Sequence, residues 1–345
     1  MGWRLFGTIF LLTLTVSFCP CPAEETFDSV GFYQSFDELT AWAGTFAADN
    51  ADIVRLVEFG RSHQDRPLLA LQLTDNPGVN DPVRPEFLFT GGLHAREVVG
   101  SQAAYRLAEE LVAGYRAGDP DTTDIFSTRE VWIVPNLNPD GRIRVEDGHS
   151  SHRKNMQHYM PQNPNSWQRG VDLNRNFPHR WDQESAYGSE NALSETYRGP
   201  SVLSTPEASA LWTMLHDEQC FTDLAGAIDY HSGVKAVLPP WVSPSENSEF
   251  PLPAEDRAVF DYMTAEMLDI MGLATNQELY DAYGALSDSL YEEFGTYAVT
   301  QELYRGASSD YFQLFNPISP GSLQTRVGHA VDSAMFLLTD PVFIP

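Results

Sequence analysis

Short apolar runs closed by turn residues alternate along this chain with longer stretches whose apolar positions return every three or four residues. Ser35-Phe36-Asp37-Glu38 has the spacing of a helix-capping box, and an amphipathic stretch follows it through Ala48. Residues 53–59 and 67–74 read as strands joined by a polar turn, and 85–90 as a further strand ending in Gly91-Gly92. Helical periodicity then runs over 97–115, with Ala103, Leu107, Leu111 and Val112 sharing a face. Strands follow at 130–135, 224–230, 234–238 and 297–303, with helices at 206–215 and around 326–338. No internal repeat, low-complexity tract or long linker interrupts the series. Strands alternating with helices predict an α/β fold, one layered sheet with helices on both faces. In such sheets functional side chains gather in loops beyond the strand ends.

The first 23 residues stand outside this pattern. A lone positive charge at Arg4, an apolar run over 5–18 and small residues before Glu24 have the order of a secretory signal peptide cleaved after Ala23. A secreted or periplasmic domain over 24–345 is therefore expected, with no stable membrane insertion, because the run is short for a bilayer. Cys19 and Cys21 leave with that segment, and Cys220 alone has no partner for an internal disulfide. Acidic residues number 48 against 21 basic ones, a net charge of −27. Such a surface repels nucleic acid and anionic membranes, so neither is expected as a partner.

Candidate chemistry begins where the strand at 85–90 ends. His94 and Glu97, three apart in a turn that opens a helix, can aim an imidazole nitrogen and a carboxylate at one point. A catalytic zinc takes three protein ligands of these types and keeps one position for water. His231, which also ends an apolar strand, is the candidate third ligand. An H-x-x-E pair alone is weak evidence in a chain with nine histidines. His179-Arg180-Trp181-Asp182 has a similar spacing.

The succession of further motifs adds to this. Phe59-Gly60-Arg61-Ser62 with Asp65-Arg66-Pro67 precedes His94-Ala95-Arg96-Glu97, and Asn138-Pro139-Asp140-Gly141 and Arg153-Lys154 come after it. Val171-Asp172-Leu173-Asn174-Arg175-Asn176-Phe177, Ser194-Glu195-Thr196-Tyr197-Arg198-Gly199 and His231-Ser232 are next. Tyr280-Asp281-Ala282-Tyr283-Gly284, Asp288 and Thr300-Gln301-Glu302-Leu303 close the series. In this order and spacing, over 36–338, the chain resembles the zinc metallocarboxypeptidases of the A/B type.

The resemblance implies a single domain around a central mixed, twisted β-sheet flanked by helices. It implies one zinc ion on His94, Glu97 and His231, and hydrolysis of the C-terminal peptide bond of peptides or proteins. A monomer is expected. Glu302 takes the part of general base and Arg153 that of the group polarising the scissile carbonyl. Asn174 and Arg175 match the family's clamp on the substrate carboxylate, with Tyr280 closing over it and Arg96 on the substrate backbone further away. By the same spacing Leu279, Ala282, Ser287 and Thr300 surround the C-terminal side chain, with Val242 at the mouth.

Family members that prefer basic residues carry an acid at the position of Ser287, so a neutral, apolar or aromatic C-terminal residue is expected here. Gly233 stands where digestive members carry a tyrosine, and Ser289 follows Asp288 in place of tryptophan. Neither a folded pro-segment nor a C-terminal β-sandwich is expected. Three other readings remain open at this stage. A peptidase of bacterial cell-wall peptides would use the same scaffold. A zinc deacylase of small acylamino acids would not need the Asn174-Arg175 and Tyr280 clamp. A non-catalytic binding protein would not need Glu302.

Overall fold

The computed structural model describes residues 27–79, 81–163, 168–183, 188–217, 220–277 and 279–344, and the expected signal peptide lies outside them. Among the described residues one sheet is formed by β1 (Val54–Arg61), β2 (Pro67–Leu73), β3 (Glu86–Gly91), β4 (Glu130–Val134), β5 (Leu224–His231), β6 (Ala236–Leu238) and β7 (Tyr297–Glu302). Its spatial order is β1-β2-β4-β3-β5-β7-β6. The four central strands run parallel, while β1, β2 and β6 pair antiparallel at the two sides.

Successive side chains of a strand face opposite sides of a sheet. In β3 this sends Phe87 and Phe89 into one core with the helices Val98–Ala117, Ala254–Ile270 and Pro320–Thr339. Leu88 enters a second core with the helices Pro206–Leu215 and Leu286–Phe294. Every residue of β3 is buried, because both faces are covered, as a parallel centre requires.

Topology then brings the candidate residues together. Parallel neighbours end on the same side of the sheet, and Gly91 of β3 is level with Tyr230 of β5. His231 of β5 is level with Glu302 of β7. The turn after β3, which carries His94 and Glu97, therefore lies beside the ends of β5 and β7.

The helix Val98–Ala117 reaches this edge only because residue 100 has no side chain. A Cβ on Gly100 would lie 2.4 Å from the carbonyl oxygen of Tyr230, the residue before His231. Backbone crowding of this kind has no flexible atom to yield. Gly100→Ala is expected to cost about 1–3 kcal/mol of stability, read as a lowered Tm. An unchanged Tm would contradict this close approach.

Candidate metal centre and active site

Three donors from two elements converge at the carboxyl end of the sheet. His94 Nδ1 lies 2.9 Å from Glu97 Oε1, and His231 Nδ1 lies 2.9 Å from Glu97 Oε2. The two Nδ1 atoms are themselves 2.9 Å apart. All three side chains are buried. Two ring nitrogens facing each other this closely require a proton or a cation between them. The donor set, two imidazoles and one carboxylate, fits zinc with room for a fourth ligand. Glu97 sits at the N-cap of the following helix yet makes no side-chain cap bond, since its carboxylate is turned to the histidines and to the Ser232 N–H.

The outer nitrogens of both histidines meet aspartates. His231 Nε2 lies 2.6 Å from Asp229 Oδ2, and Thr90 Oγ1 donates to Asp229 Oδ1 at 2.6 Å. His94 Nε2 lies 3.1 Å from Asp172 Oδ1. Such carboxylates fix the ring tautomer and raise the basicity of a ligating histidine. Burial works against a cation at His231, but Asp229 and Glu97 outweigh it and favour positive charge there, as a proton or as a metal in its place.

Neither aspartate was assigned a role from sequence, although one signal was available. Asp229 stands two residues before His231 in an apolar strand, hence on the same face. Asp172 is enclosed by Val171 and Leu173, and a buried acid in such a run needs cationic partners. It has them: Arg153 donates through Nε and Nη2 at 2.9 Å each, and these neighbours hold Asp172 well below the usual carboxylate range against its burial.

Glu302 ends β7 and accepts from Val234 N at 3.4 Å. Withdrawal from solvent, then the charge of Glu97, push its carboxyl up to about 7. A dication on the three donors would act the opposite way.

His94, Arg153, Asn174, Arg175, His231, Tyr280 and Glu302 line one cavity together with Leu279, Ala282 and Thr300. Val242, Leu238 and Ala285 complete it, the last two not anticipated from sequence. The Arg175 guanidinium sits 5.9 Å from the Tyr280 ring, and Asn174 Oδ1 is fixed by Leu286 N at 2.8 Å.

Two predicted residues lie elsewhere. Ser287 is buried behind Thr300, with the two hydroxyl oxygens 3.2 Å apart. Arg96 is outside the cavity, over the Phe315 ring at 4.3 Å and paired with Glu195 at 3.3 Å. The glycine at 233 also has a local reason. Its φ is +138°, and a Cβ there would come within 2.9 Å of the Phe315 ring, which fills the space of a side chain.

Residues 39–325 match a family described as zinc carboxypeptidase. A zinc carboxypeptidase of Saccharothrix mutabilis subsp. capreolus is 30% identical over 284 residues, covering 81% of this chain and 64% of that protein. Human carboxypeptidase D is 32% identical over 151 residues, 44% of this chain and 10% of that protein. The chain thus spans less than two thirds of the length of either curated relative. Among solved structures, bovine thrombin-activatable fibrinolysis inhibitor in complex with tick carboxypeptidase inhibitor superposes with a TM-score of 0.73 at 20% identity, over 89% of this chain and 96% of that one. Carboxypeptidase A from Helicoverpa armigera gives 0.70 at 23% identity, over 88% and 74%. These two likenesses concern the fold.

Proposed function

The chain belongs to the zinc carboxypeptidase family, and we propose that it is a secreted enzyme releasing a neutral C-terminal residue from peptides or proteins. The observation that carries this is the shared cavity: His94 and His231, which converge with Glu97 as potential metal donors, line it together with Asn174, Arg175 and Tyr280. Zinc held by His94, Glu97 and His231 would polarise a carbonyl and make water nucleophilic near neutral pH. Glu302, at the rim of that site, takes the water's proton and passes it to the leaving amine. Arg153, aligned by Asp172, faces the scissile carbonyl and holds the charge that develops on its oxygen. Arg175 and Asn174 receive the terminal carboxylate, which a planar guanidinium can bind with two parallel hydrogen bonds. Tyr280 closes over it, and one zinc ion serves the site.

The preference for neutral side chains rests on the cavity walls. Leu238, Val242, Leu279, Ala282, Ala285 and Thr300 bring no carboxylate to the side-chain end. Asp288, behind the Val242 wall, is fully buried, accepts from Val242 N at 3.2 and 3.3 Å and does not line the cavity. A substrate lysine or arginine would bury a charge without a partner. On blocked peptides differing only in the last residue, kcat/KM for phenylalanine or leucine is expected to exceed that for lysine by at least about tenfold, or about 1.4 kcal/mol. Equal or better cleavage before lysine and arginine would overturn the neutral preference.

A further inference from the structure

His179, whose H-x-x-D spacing resembles a metal motif, is buried in a polar cluster behind the cavity. Its two ring nitrogens face opposite partners, so they do not share a metal point. Nε2 lies 3.1 Å from both oxygens of Glu246, and Nδ1 lies 2.9 Å from Glu292 Oε2. Ionised carboxylates only accept hydrogen bonds, so with both glutamates ionised each ring nitrogen carries a proton and the ring is an imidazolium. Arg180 Nε, 2.7 Å from Glu246 Oε1, is the second cation on that buried acid. Asp288 is the third acid of the cluster, within electrostatic reach of both His179 and Arg175. Burial alone would lower His179, but Glu246, Asp288 and Glu292 outweigh it and hold it above the ordinary histidine value.

This residue joins three segments that flank the cavity, the first through its ring and the other two through its backbone. It stacks on Trp241, with centroids 4.4 Å apart and planes within 9°. The next residue, Val242, is a cavity wall tethered by Asp288. Through its backbone, His179 accepts from Gly284 N at 2.8 Å, within the segment that carries Leu279, Tyr280, Ala282 and Ala285. Its own N–H donates to Ser289 Oγ at 3.0 Å in the helix Leu286–Phe294.

We propose that His179 is a positioning residue for the side-chain pocket, pinning Trp241 and Glu246, and with them Val242, so that the pocket's width is set by a group the substrate does not touch. This rests on reading the cavity as the site of the C-terminal side chain. Glutamine at 179 can donate to Glu246 but cannot bridge both acids or stack on Trp241. In His179→Gln the Val242 wall loosens, and large side chains lose complementarity while small ones lose little.

The test compares kcat and KM for blocked peptides ending in phenylalanine and in alanine, well below the Tm of each variant. KM for the phenylalanine peptide is expected to rise about tenfold in His179→Gln with kcat kept within about twofold, while the alanine peptide changes little. Glu292→Gln, altering an exposed acid on the same ring, should shift the ratio in the same direction by about threefold, and it serves alone if His179→Gln does not fold. A merely structural role would lower Tm and leave the phenylalanine-to-alanine ratio in place. An unchanged ratio in the folded variants, with a wild type that discriminates between the two peptides, overturns the role of His179 alone. A wild type blind to the terminal side chain overturns the pocket reading as well.

Discussion

Glu302→Gln is expected to keep zinc and substrate binding while turnover falls by ~10²–10⁴, the usual range for a lost general base. Glutamine retains the shape and volume of the side chain at the end of β7, and its carbonyl oxygen can still accept from Val234 N. What it loses is the capacity to take a proton from water and return it to the leaving amine. The proposed metal donors His94, Glu97 and His231 are untouched, so metal analysis should give the wild-type zinc content. KM should stay near wild type because the carboxylate clamp and the residues given to the C-terminal side chain are unchanged, which places the loss in kcat. Turnover within a few-fold of wild type would remove Glu302 from the chemistry. Loss of zinc together with activity would instead make it a support of the metal site.

Much of this arrangement is legible in the sequence because local signals coincide with tertiary ones. The capping box is formed by Ser35 and Glu38 in both directions, and the helix it opens runs over Phe36–Asp49. The strands emerge within a few residues of their apolar runs, and in β3 and β4 burial on both faces demands nearly unbroken apolar sequence. The helices Ala254–Ile270 and Leu286–Phe294 lie outside the expected series: Pro253 and Ala285 offer no capping side chain, and acids in the first turn, Glu255, Asp256 and Asp288, are the start signals present. Pro120–Thr128 also lies outside the expected series, although Asp119 caps it and Pro120 opens it, a start signal legible in the sequence.

At the site, His94, Glu97 and His231 are expected together from their places beside two strand ends and from the family resemblance, and their potential donor atoms do converge. Asp172, Asp229, Leu238 and Ala285 were harder, because they matter only through what stands across from them. The displacement of Ser287 and Arg96 from the cavity has the same cause. Sequence spacing gives their neighbours along the chain, whereas the Thr300 hydroxyl, Glu195 and the Phe315 ring that engage them come from distant segments.

Reading of a free C-terminal carboxylate by Arg175 separates an exopeptidase from a deacylase or an endopeptidase on the same metal. Amidation of a peptide's last residue removes the charge and leaves the scissile bond and side chain unchanged. Losing one charge-assisted contact costs ~1.5–3 kcal/mol, which is roughly one to two orders of magnitude in kcat/KM. Arg175→Ala deletes the same contact from the protein side, so it should cost free-acid peptides at least as much and amides little more. Two changes that remove one shared interaction are non-additive in this way, whereas independent ones add. The decisive measurement is therefore kcat/KM for a free-acid peptide and its amide, in wild type and in Arg175→Ala. The account predicts a ratio of about 10–100 in wild type, collapsing toward one in the variant. Equal cleavage of acid and amide by the wild-type enzyme would contradict it.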